Sequence, residues 1–158
     1  MPEHAATAHI LISRAASADL PAIIGVYAED LAGGHGDHWS EDTAPRYREV
    51  FARLAANPDY ELYVARHDGQ IIGTFLLHVI ETLVGGGGRS CALHSVSVAA
   101  AARGKGAGAA ILRFCQDRAR ALGATKLTLV SGNQRTDAHR FYRREGFSET
   151  HRAFARKL

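Results

Sequence analysis

The sequence predicts an α/β domain with a mixed, mostly antiparallel sheet of six or seven strands and helices on both faces. Short β-branched runs of period two alternate with segments whose apolar residues recur at helical spacing. Their order is a strand, two helices, three strands, a helix, a strand, a helix and one or two last strands. Asp68-Gly69 is a typical turn of an antiparallel hairpin.

Composition limits the classes of protein to consider. The 158 residues fit a single domain, 1–158. A net charge of +3 suits an anionic ligand but is too small to predict nucleic-acid binding. The sequence has no signal-peptide pattern and no apolar run near the roughly 20 residues of a membrane span, so we expect no membrane partner. Cys91 and Cys115 are too few for a disulfide framework, which predicts buried thiols in a cytoplasmic protein.

The amino-terminal half carries the first two predicted helices. We expect a strand over 9–14, a helix with Pro21 in its first turn that fades near Gly33 and Gly34, and a helix over 43–56. Strands follow, in order, over 60–66, 71–83 and 91–98.

The carboxy-terminal half begins with a glycine-rich turn. A helix then runs to about Leu122, followed by a strand over 125–131 and a short helix to Arg144 that Thr136 or Asp137 caps. Residues 147–157 are expected to supply the one or two last strands.

The turn Arg103-Gly104-Lys105-Gly106-Ala107-Gly108 is the strongest functional signal. Glycine has no Cβ, so the backbone can approach a ligand closely. The start of the following helix adds unpaired N–H groups and the positive end of a dipole. With two cationic side chains, these features predict an anion site.

Three other interpretations of this turn are possible. Gly104, Gly106 and Ala109 fit the dinucleotide pattern G-x-G-x-x-A, but the next strand ends in Ser131-Gly132-Asn133 without the expected acidic residue. A P-loop fails because Gly106 follows Lys105. A helix start with solvated charges and no ligand remains open, although each glycine there costs roughly 0.5–1 kcal/mol relative to alanine.

The turn resembles the R/Q-x-x-G-x-G/A signature of the GNAT superfamily of N-acetyltransferases. Residues 93–98 resemble that family's fourth strand, and Asn133 stands where the family often has asparagine. Residues 138–147, AHRFYRREGF, resemble its A-x-x-F-Y-x-x-x-G-F segment. These motifs, in this order and spacing, identify the chain as a member of the family over about residues 60–150.

The resemblance implies a central V-shaped splay between the strands at 91–98 and 125–131, with the pantetheine arm of acetyl-CoA in the gap. It implies direct attack of a primary amine on the thioester in a ternary complex. The residues it implies for binding coenzyme A are Val96, Ser97, Val98, Arg103, Gly104, Lys105, Gly106, Ala107, Gly108 and Asn133.

Two side chains are catalytic candidates. Tyr142 matches the tyrosine that relatives use as general acid toward the leaving thiolate, and its alternative role is a packed ring beside Phe141. His94 falls where many relatives carry a glutamate, and its ordinary pKa near 6.5 suits a general base. Its alternative role is a strand histidine bonded to a neighbour.

The loop between the first two helices covers the acceptor site in relatives. Its polar and aromatic residues suit a small cationic amine; they are His35, Asp37, His38, Trp39, Glu41 and Asp42. No third and fourth ligand accompanies His35 and His38, so we predict no metal site. A solvated loop without a ligand is the alternative.

Other functions remain open at this stage. A protein lysine or N-terminal acetyltransferase would need a groove as wide as a peptide. A non-catalytic coenzyme A-binding regulatory module would keep the glycine-rich turn but have no use for Tyr142. A nucleic-acid binder lacks support, because no basic stripe carries interleaved aromatic residues. A homodimer is expected from the resemblance alone.

Overall fold

A computed structural model describes residues 9–30 and 35–158. The strands are β1 (Leu11–Arg14), β2 (Tyr60–His67), β3 (Gln70–Thr82), β4 (Gly88–Val98) and β5 (Leu127–Leu129). The helices are α1 (Leu20–Ala28), α2 (Ala44–Ala56), α3 (Ala107–Ala121) and α4 (Thr136–Arg144). Short 3₁₀ turns lie at Ser17–Asp19 and Ala100–Ala102. The predicted end of the first helix near Gly33 and Gly34, which lie outside the described residues, is too late, because α1 ends at Ala28.

The strands form a mixed sheet in the order β1-β2-β3-β4-β5. The pairings β1–β2, β2–β3 and β3–β4 are antiparallel, and β5 runs parallel to β4. Asp68 and Gly69, between β2 and β3, both have positive φ, at 48° and 79°. A type I′ turn requires that backbone, so the predicted hairpin is confirmed.

Helices cover both faces of the sheet, as expected. On one face, α3 buries its apolar stripe of Ile111, Leu112, Cys115 and Ala119 against Phe75 and its neighbours. On the other face, Ile23 and Ile24 of α1 pack on Val64. Each helix therefore has one apolar stripe and one solvated side, as their sequence periodicity predicts.

An ion-pair cluster ties β2 to α3. Glu61 is only 5% exposed. It accepts hydrogen bonds from Arg118 at 2.6 and 2.9 Å and from the Tyr63 hydroxyl at 2.6 Å, and Arg14 lies 3.2 Å away. These contacts, the Arg118 hydrogen bonds first, hold the pKa of Glu61 below its usual range.

The predicted strand count is wrong: the described chain contains five strands rather than six or seven. Residues 147–158 form no strand, and β5 is shorter than the expected 125–131. The carboxy-terminal segment is mostly polar, and its large apolar residues Phe154 and Leu158 face solvent. Without a buried alternating face, the segment has too little apolar area to hold it on the edge of β5.

A cavity of about 860 Å³ lies where those strands were expected. Its walls are β5, α4, the end of α3 and the segment after Phe147. Cys91 and Cys115 are both buried, and neither is in a disulfide. Within residues 9–30 and 35–158, no helix combines the length and apolar character that crossing a bilayer requires.

Candidate active site

The edge of β4 is only partly covered by β5. The two strands pair over three positions, from Cys91 opposite Leu127 to Leu93 opposite Leu129. β4 then continues to Val98, with no strand of the described chain on that side. Val96, Ser97 and Val98 are half-buried there. Backbone groups on this stretch are therefore available to an extended ligand.

A bulge bends β4 where the uncovered stretch begins. Leu76 of β3 pairs with His94, but Thr74 pairs with Ser97, so β4 holds one extra residue between these pairs. Ser95 takes up the irregularity with a φ of 51°. A bulge increases local twist and redirects side chains, and here it coincides with the loss of pairing to β5.

The glycine-rich turn follows β4 and opens α3. Gly104 and Gly106 have φ values of 73° and 86°, which an L side chain rarely adopts. Ala110 is the first residue of α3 whose N–H bonds a carbonyl, that of Gly106. The N–H groups of Ala107, Gly108 and Ala109 have no backbone partner within the described ranges. Unpaired N–H groups at a helix start are what an anion site requires, and exposed Lys105 lies beside them.

Two residues of this signature have additional roles. The Nε of Arg103 donates to the Val98 carbonyl at 3.0 Å and so ties the turn to the end of β4. A Cβ on Gly108 would lie 3.0 Å from the Phe141 ring. Gly108 is therefore required for the close packing of α3 on α4.

His94 lies on the α1 side of the sheet in a row of rings from three strands. The His78 ring on β3 is 5.9 Å from that of His94, and Tyr60 on β2 stacks on His78 at 4.2 Å with a 4° interplanar angle. His94 is exposed to solvent on one part of its surface and covered on another. This partial burial, and then the charge of His78, lower the pKa of His94 below 6.5. The imidazole is therefore neutral at pH 7 and able to accept a proton.

Tyr142 is half-buried on α4. Its ring lies 5.4 Å from that of Phe141 and 6.0 Å from that of Phe147. Burial raises the pKa of Tyr142, and the charge of Arg135 opposes that rise. At neutral pH the phenol therefore carries its proton and can donate it.

The predicted site residues fall into two sets, which we call the β4 wall and the α4 wall. The β4 wall consists of the end of β4, the glycine-rich turn and His94, and none of these lines the 860 Å³ cavity. The α4 wall consists of Tyr142 and Asn133, which line that cavity from the β5 and α4 side. The cavity exists because no strand covers the outer edge of β5, so its size is not evidence for the position of the reaction.

The predicted acceptor loop is held against the helices. The Tyr47 hydroxyl donates to Asp37 at 2.8 Å, and Trp39 stacks near Tyr47 at 6.1 Å. Burial, and to a smaller extent the charge of Asp37, raise the pKa of the Tyr27 phenol.

The end of α1 contacts both walls. The Glu29 carboxylate accepts the Ala100 N–H at 2.5 Å, next to the glycine-rich turn. Asp30 forms an ion pair with Arg135, which occupies the N-cap position of α4 without a side-chain capping hydrogen bond. The prediction that Thr136 or Asp137 caps this helix is wrong, because both residues lie inside it. Neither the Glu29 contact nor the Asp30 contact was predicted from the sequence. Asp30 and Arg135 are 105 positions apart, and no local pattern could have linked them. His78 was detectable, because it interrupts the apolar run 71–80.

Comparison with known proteins decides the family. The profile of the Acetyltransferase (GNAT) family matches residues 26–147. The chain belongs to the GNAT family of acetyltransferases. A curated relative, the aminoalkylphosphonate N-acetyltransferase of Salmonella typhimurium, is 30% identical over 117 residues, which cover 71% of this chain and 72% of the relative.

Solved GNAT-like structures share the fold over nearly the whole chain. A transcriptional regulator from Bacillus halodurans C-125 has a TM-score of 0.90 at 26% identity, covering 95% of this chain and 100% of its own. An aminoglycoside antibiotic 6′-N-acetyltransferase from Acinetobacter baumannii has a TM-score of 0.75 at 16% identity, covering 95% and 98%. The second likeness supports the fold alone.

This GNAT protein is therefore an acetyltransferase. Enzymes of the family generally use acetyl-CoA as the acetyl donor. In this chain, the family match includes the uncovered part of β4, the glycine-rich turn and Tyr142.

Proposed function

We propose that this acetyltransferase transfers the acetyl group of acetyl-CoA to the primary amine of a small molecule by direct attack in a ternary complex. The observation that carries the proposal is the juxtaposition of an uncovered stretch of β4 with a helix start whose N–H groups have no backbone partner. An extended arm that ends in a pyrophosphate is the ligand this arrangement suits.

The donor site consists mainly of backbone. The pyrophosphate rests on the N–H groups of 107–109, with Arg103 and Lys105 as nearby cations. Gly104 and Gly106 leave the pyrophosphate room to approach the backbone. A Cβ at either position would contact no protein atom within 4 Å and would instead take up part of the open space in front of the turn. The pantetheine arm lies along 96–98, and Asn133 approaches it from the other wall.

His94 is the proposed base. The amine first releases its ammonium proton to solvent and attacks in its neutral form. Its nitrogen forms a bond to the thioester carbon and loses one proton to the imidazole, directly or through one water. Its lowered pKa keeps His94 neutral at pH 7 and thus able to accept that proton. A backbone N–H near Val96, on the uncovered edge, stabilises the carbonyl oxygen as its charge develops.

Tyr142 is the proposed acid. The carbon–sulfur bond breaks as the tetrahedral centre collapses, and the phenol gives its proton to the departing thiolate sulfur. Because its ring is packed between Phe141 and Phe147, the hydroxyl is held in one direction. A fixed donor costs little reorganisation at the moment of reaction.

The acceptor proposal combines the loop with the relatives. Asp37 offers a carboxylate to a cationic amine, and Tyr47 holds that carboxylate in place. The curated relative acetylates aminoalkylphosphonates by its name, and a fold neighbour acetylates aminoglycosides. The name of the curated relative supports a small amine over a protein side chain.

A panel assay tests the proposal. Purified protein and acetyl-CoA are incubated with aminoalkylphosphonates, aminoglycosides, simple diamines and a lysine peptide, and released thiol is measured. We expect turnover with at least one small amine and none with the peptide. Turnover with the peptide alone would instead support a protein acetyltransferase.

A regulatory role is the second candidate, because one solved relative is described as a transcriptional regulator. Acetyl-CoA binding without turnover of any amine would favour this role over the proposed function.

A further inference from the structure

We propose that Glu29, at the end of α1, is a positioning residue for the donor site. Its carboxylate holds the connection between β4 and the glycine-rich turn in the geometry that binds the pyrophosphate of acetyl-CoA. The inference rests on the proposed function, because it assigns a support to the donor site of that reaction. Neither the signature of the turn nor the spacing of residues in the sequence singles out Glu29.

The connection from β4 to α3, residues 99–106, has few side chains that could hold it in place. Residues 99–102 are four consecutive alanines. An alanine side chain has no hydrogen-bonding group and buries little apolar area. Most of the connection is exposed to solvent. Its position therefore depends on backbone hydrogen bonds and on groups that other elements supply.

Within residues 9–30 and 35–158, two hydrogen bonds join this connection to distant parts of the chain. The Ala99 N–H donates to the Ile72 carbonyl on β3 at 2.8 Å. The Ala100 N–H donates to the Glu29 carboxylate at 2.5 Å. The remaining hydrogen bonds of the connection are to residues nearby in sequence. Glu29 is thus the distant side chain that fixes this backbone.

Glu29 supplies a cap that the local sequence lacks. Ala100–Ala102 is a 3₁₀ turn, and the first N–H groups of a helical turn have no partner within it. A serine or aspartate before the turn could accept one of them, but Ala99 has only a methyl group and forms no such bond. The Glu29 carboxylate does so from 71 positions away in the sequence. Because the acceptor is charged, this bond is stronger than a neutral one.

The position of Ala100 is passed on to Arg103. The Arg103 N–H donates to the Ala100 carbonyl at 3.3 Å, and its Nε donates to the Val98 carbonyl at 3.0 Å. Residues 104–106 then lead directly to the N–H groups at the start of α3 that have no backbone partner in the described ranges. A displacement of Ala100 would therefore displace the backbone of the donor site, where small errors of position weaken binding.

The charge of Glu29 separates a positioning role from direct contact with the ligand. A carboxylate near an anion site repels the anion, so Glu29 can favour binding only through the hydrogen bond that it accepts. Glutamine conserves an acceptor oxygen and removes the charge, whereas alanine removes both. Aspartate keeps the charge but is one methylene shorter. The three substitutions therefore have different expected outcomes.

Calorimetric titration with acetyl-CoA, without an amine, tests the proposal. We expect the dissociation constant to rise about three- to tenfold in Glu29→Ala and Glu29→Asp, which is the effect of losing one hydrogen bond. In Glu29→Gln it should stay within about twofold of wild type or fall. In steady-state kinetics, KM for acetyl-CoA should rise in Glu29→Ala, while kcat at saturating acetyl-CoA changes less than about twofold.

The matched control is Glu49→Ala, which removes an exposed carboxylate that pairs with Arg46 and Arg53 on its own helix, α2. It should leave the affinity for acetyl-CoA unchanged, and urea denaturation shows whether each variant is folded. Wild-type affinity in Glu29→Ala would overturn the inference, as would equal losses in Glu29→Gln and Glu29→Ala. If folded wild type binds no acetyl-CoA, the proposed function fails instead, so the two failures are distinguishable.

Discussion

The Tyr142 hydroxyl is the group whose removal should separate catalysis from binding. Tyr142→Phe keeps the ring between Phe141 and Phe147, so packing should be conserved. We expect kcat to fall about 100-fold, the lower end of what a general acid contributes, with unchanged affinity for acetyl-CoA. Steady-state kinetics and calorimetric titration measure the two quantities. Full activity in the variant would show that Tyr142 only packs.

The pair His78 and His94 predicts a pH dependence. Burial and the charge of His78 lower the pKa of His94, so its neutral, base-competent form persists below pH 6.5. His78→Asn removes the second cause of the lowered pKa of His94. The acid limb of the kcat/KM profile should therefore move to higher pH, toward 6.5. His67→Asn, on the exposed end of β2, is the matched control. An acid limb that does not move in His78→Asn would contradict the role of this pair.

Single residues were predictable from the sequence where a backbone rule or a motif constrained them. Gly104, Gly106 and Asp68-Gly69 adopt the positive φ that their turns require. Arg135 and Asp30 were not predictable, because their contact depends on how α1 and α4 pack. The residue-scale roles of Tyr142 and His94 remain predictions.

At the scale of elements, the contact between α3 and α4 depends on Gly108. A Cβ there would meet the Phe141 ring at 3.0 Å, so Gly108→Val should lower the free energy of unfolding by about 1–3 kcal/mol. Gly25→Ala in α1 is the control, since its Cβ would contact nothing within 4 Å. It should raise stability by about 0.5–1 kcal/mol, because glycine weakens a helix interior. Urea denaturation measures both; an unaffected Gly108→Val would contradict this packing.

Helices and strands were predicted well where the spacing of apolar residues and the turn-forming residues indicated the same boundaries. β2, β3, α2 and α4 begin and end within one or two residues of the expected positions. β5 and the carboxy-terminal segment were predicted poorly. Whether a strand forms at the edge of a sheet depends on the apolar surface that it can bury. Phe154 and Val130 are exposed and have no such surface to pack against.

At the scale of the whole molecule, Glu61 and Arg118 connect the sheet to α3. Arg118→Leu leaves a buried carboxylate with fewer partners, and the free energy of unfolding should fall by about 2 kcal/mol. The loss is less than for a fully buried pair, because the Arg118 side chain is 37% exposed.

The sign of the pH effect follows from the lowered pKa of Glu61. Its contribution to stability is present above the ordinary value of 4.5 and is lost as the pH falls through the folded-state pKa. The penalty of Arg118→Leu should therefore shrink at low pH. Arg53→Leu, an exposed pair, should change stability by less than about 0.5 kcal/mol. Equal losses in the two variants at pH 7 would contradict a structural role for this cluster.

The central claim is that the glycine-rich turn holds the pyrophosphate of acetyl-CoA. The most direct measurement is calorimetric titration of wild type, Gly106→Glu and Gly123→Glu with acetyl-CoA. Both glycines have positive φ and open space around them, and they lie at opposite ends of α3, so strain and added charge are matched. We predict saturable binding by wild type and Gly123→Glu and its loss in Gly106→Glu. Equal binding by all three proteins, or none by folded wild type, would contradict the account.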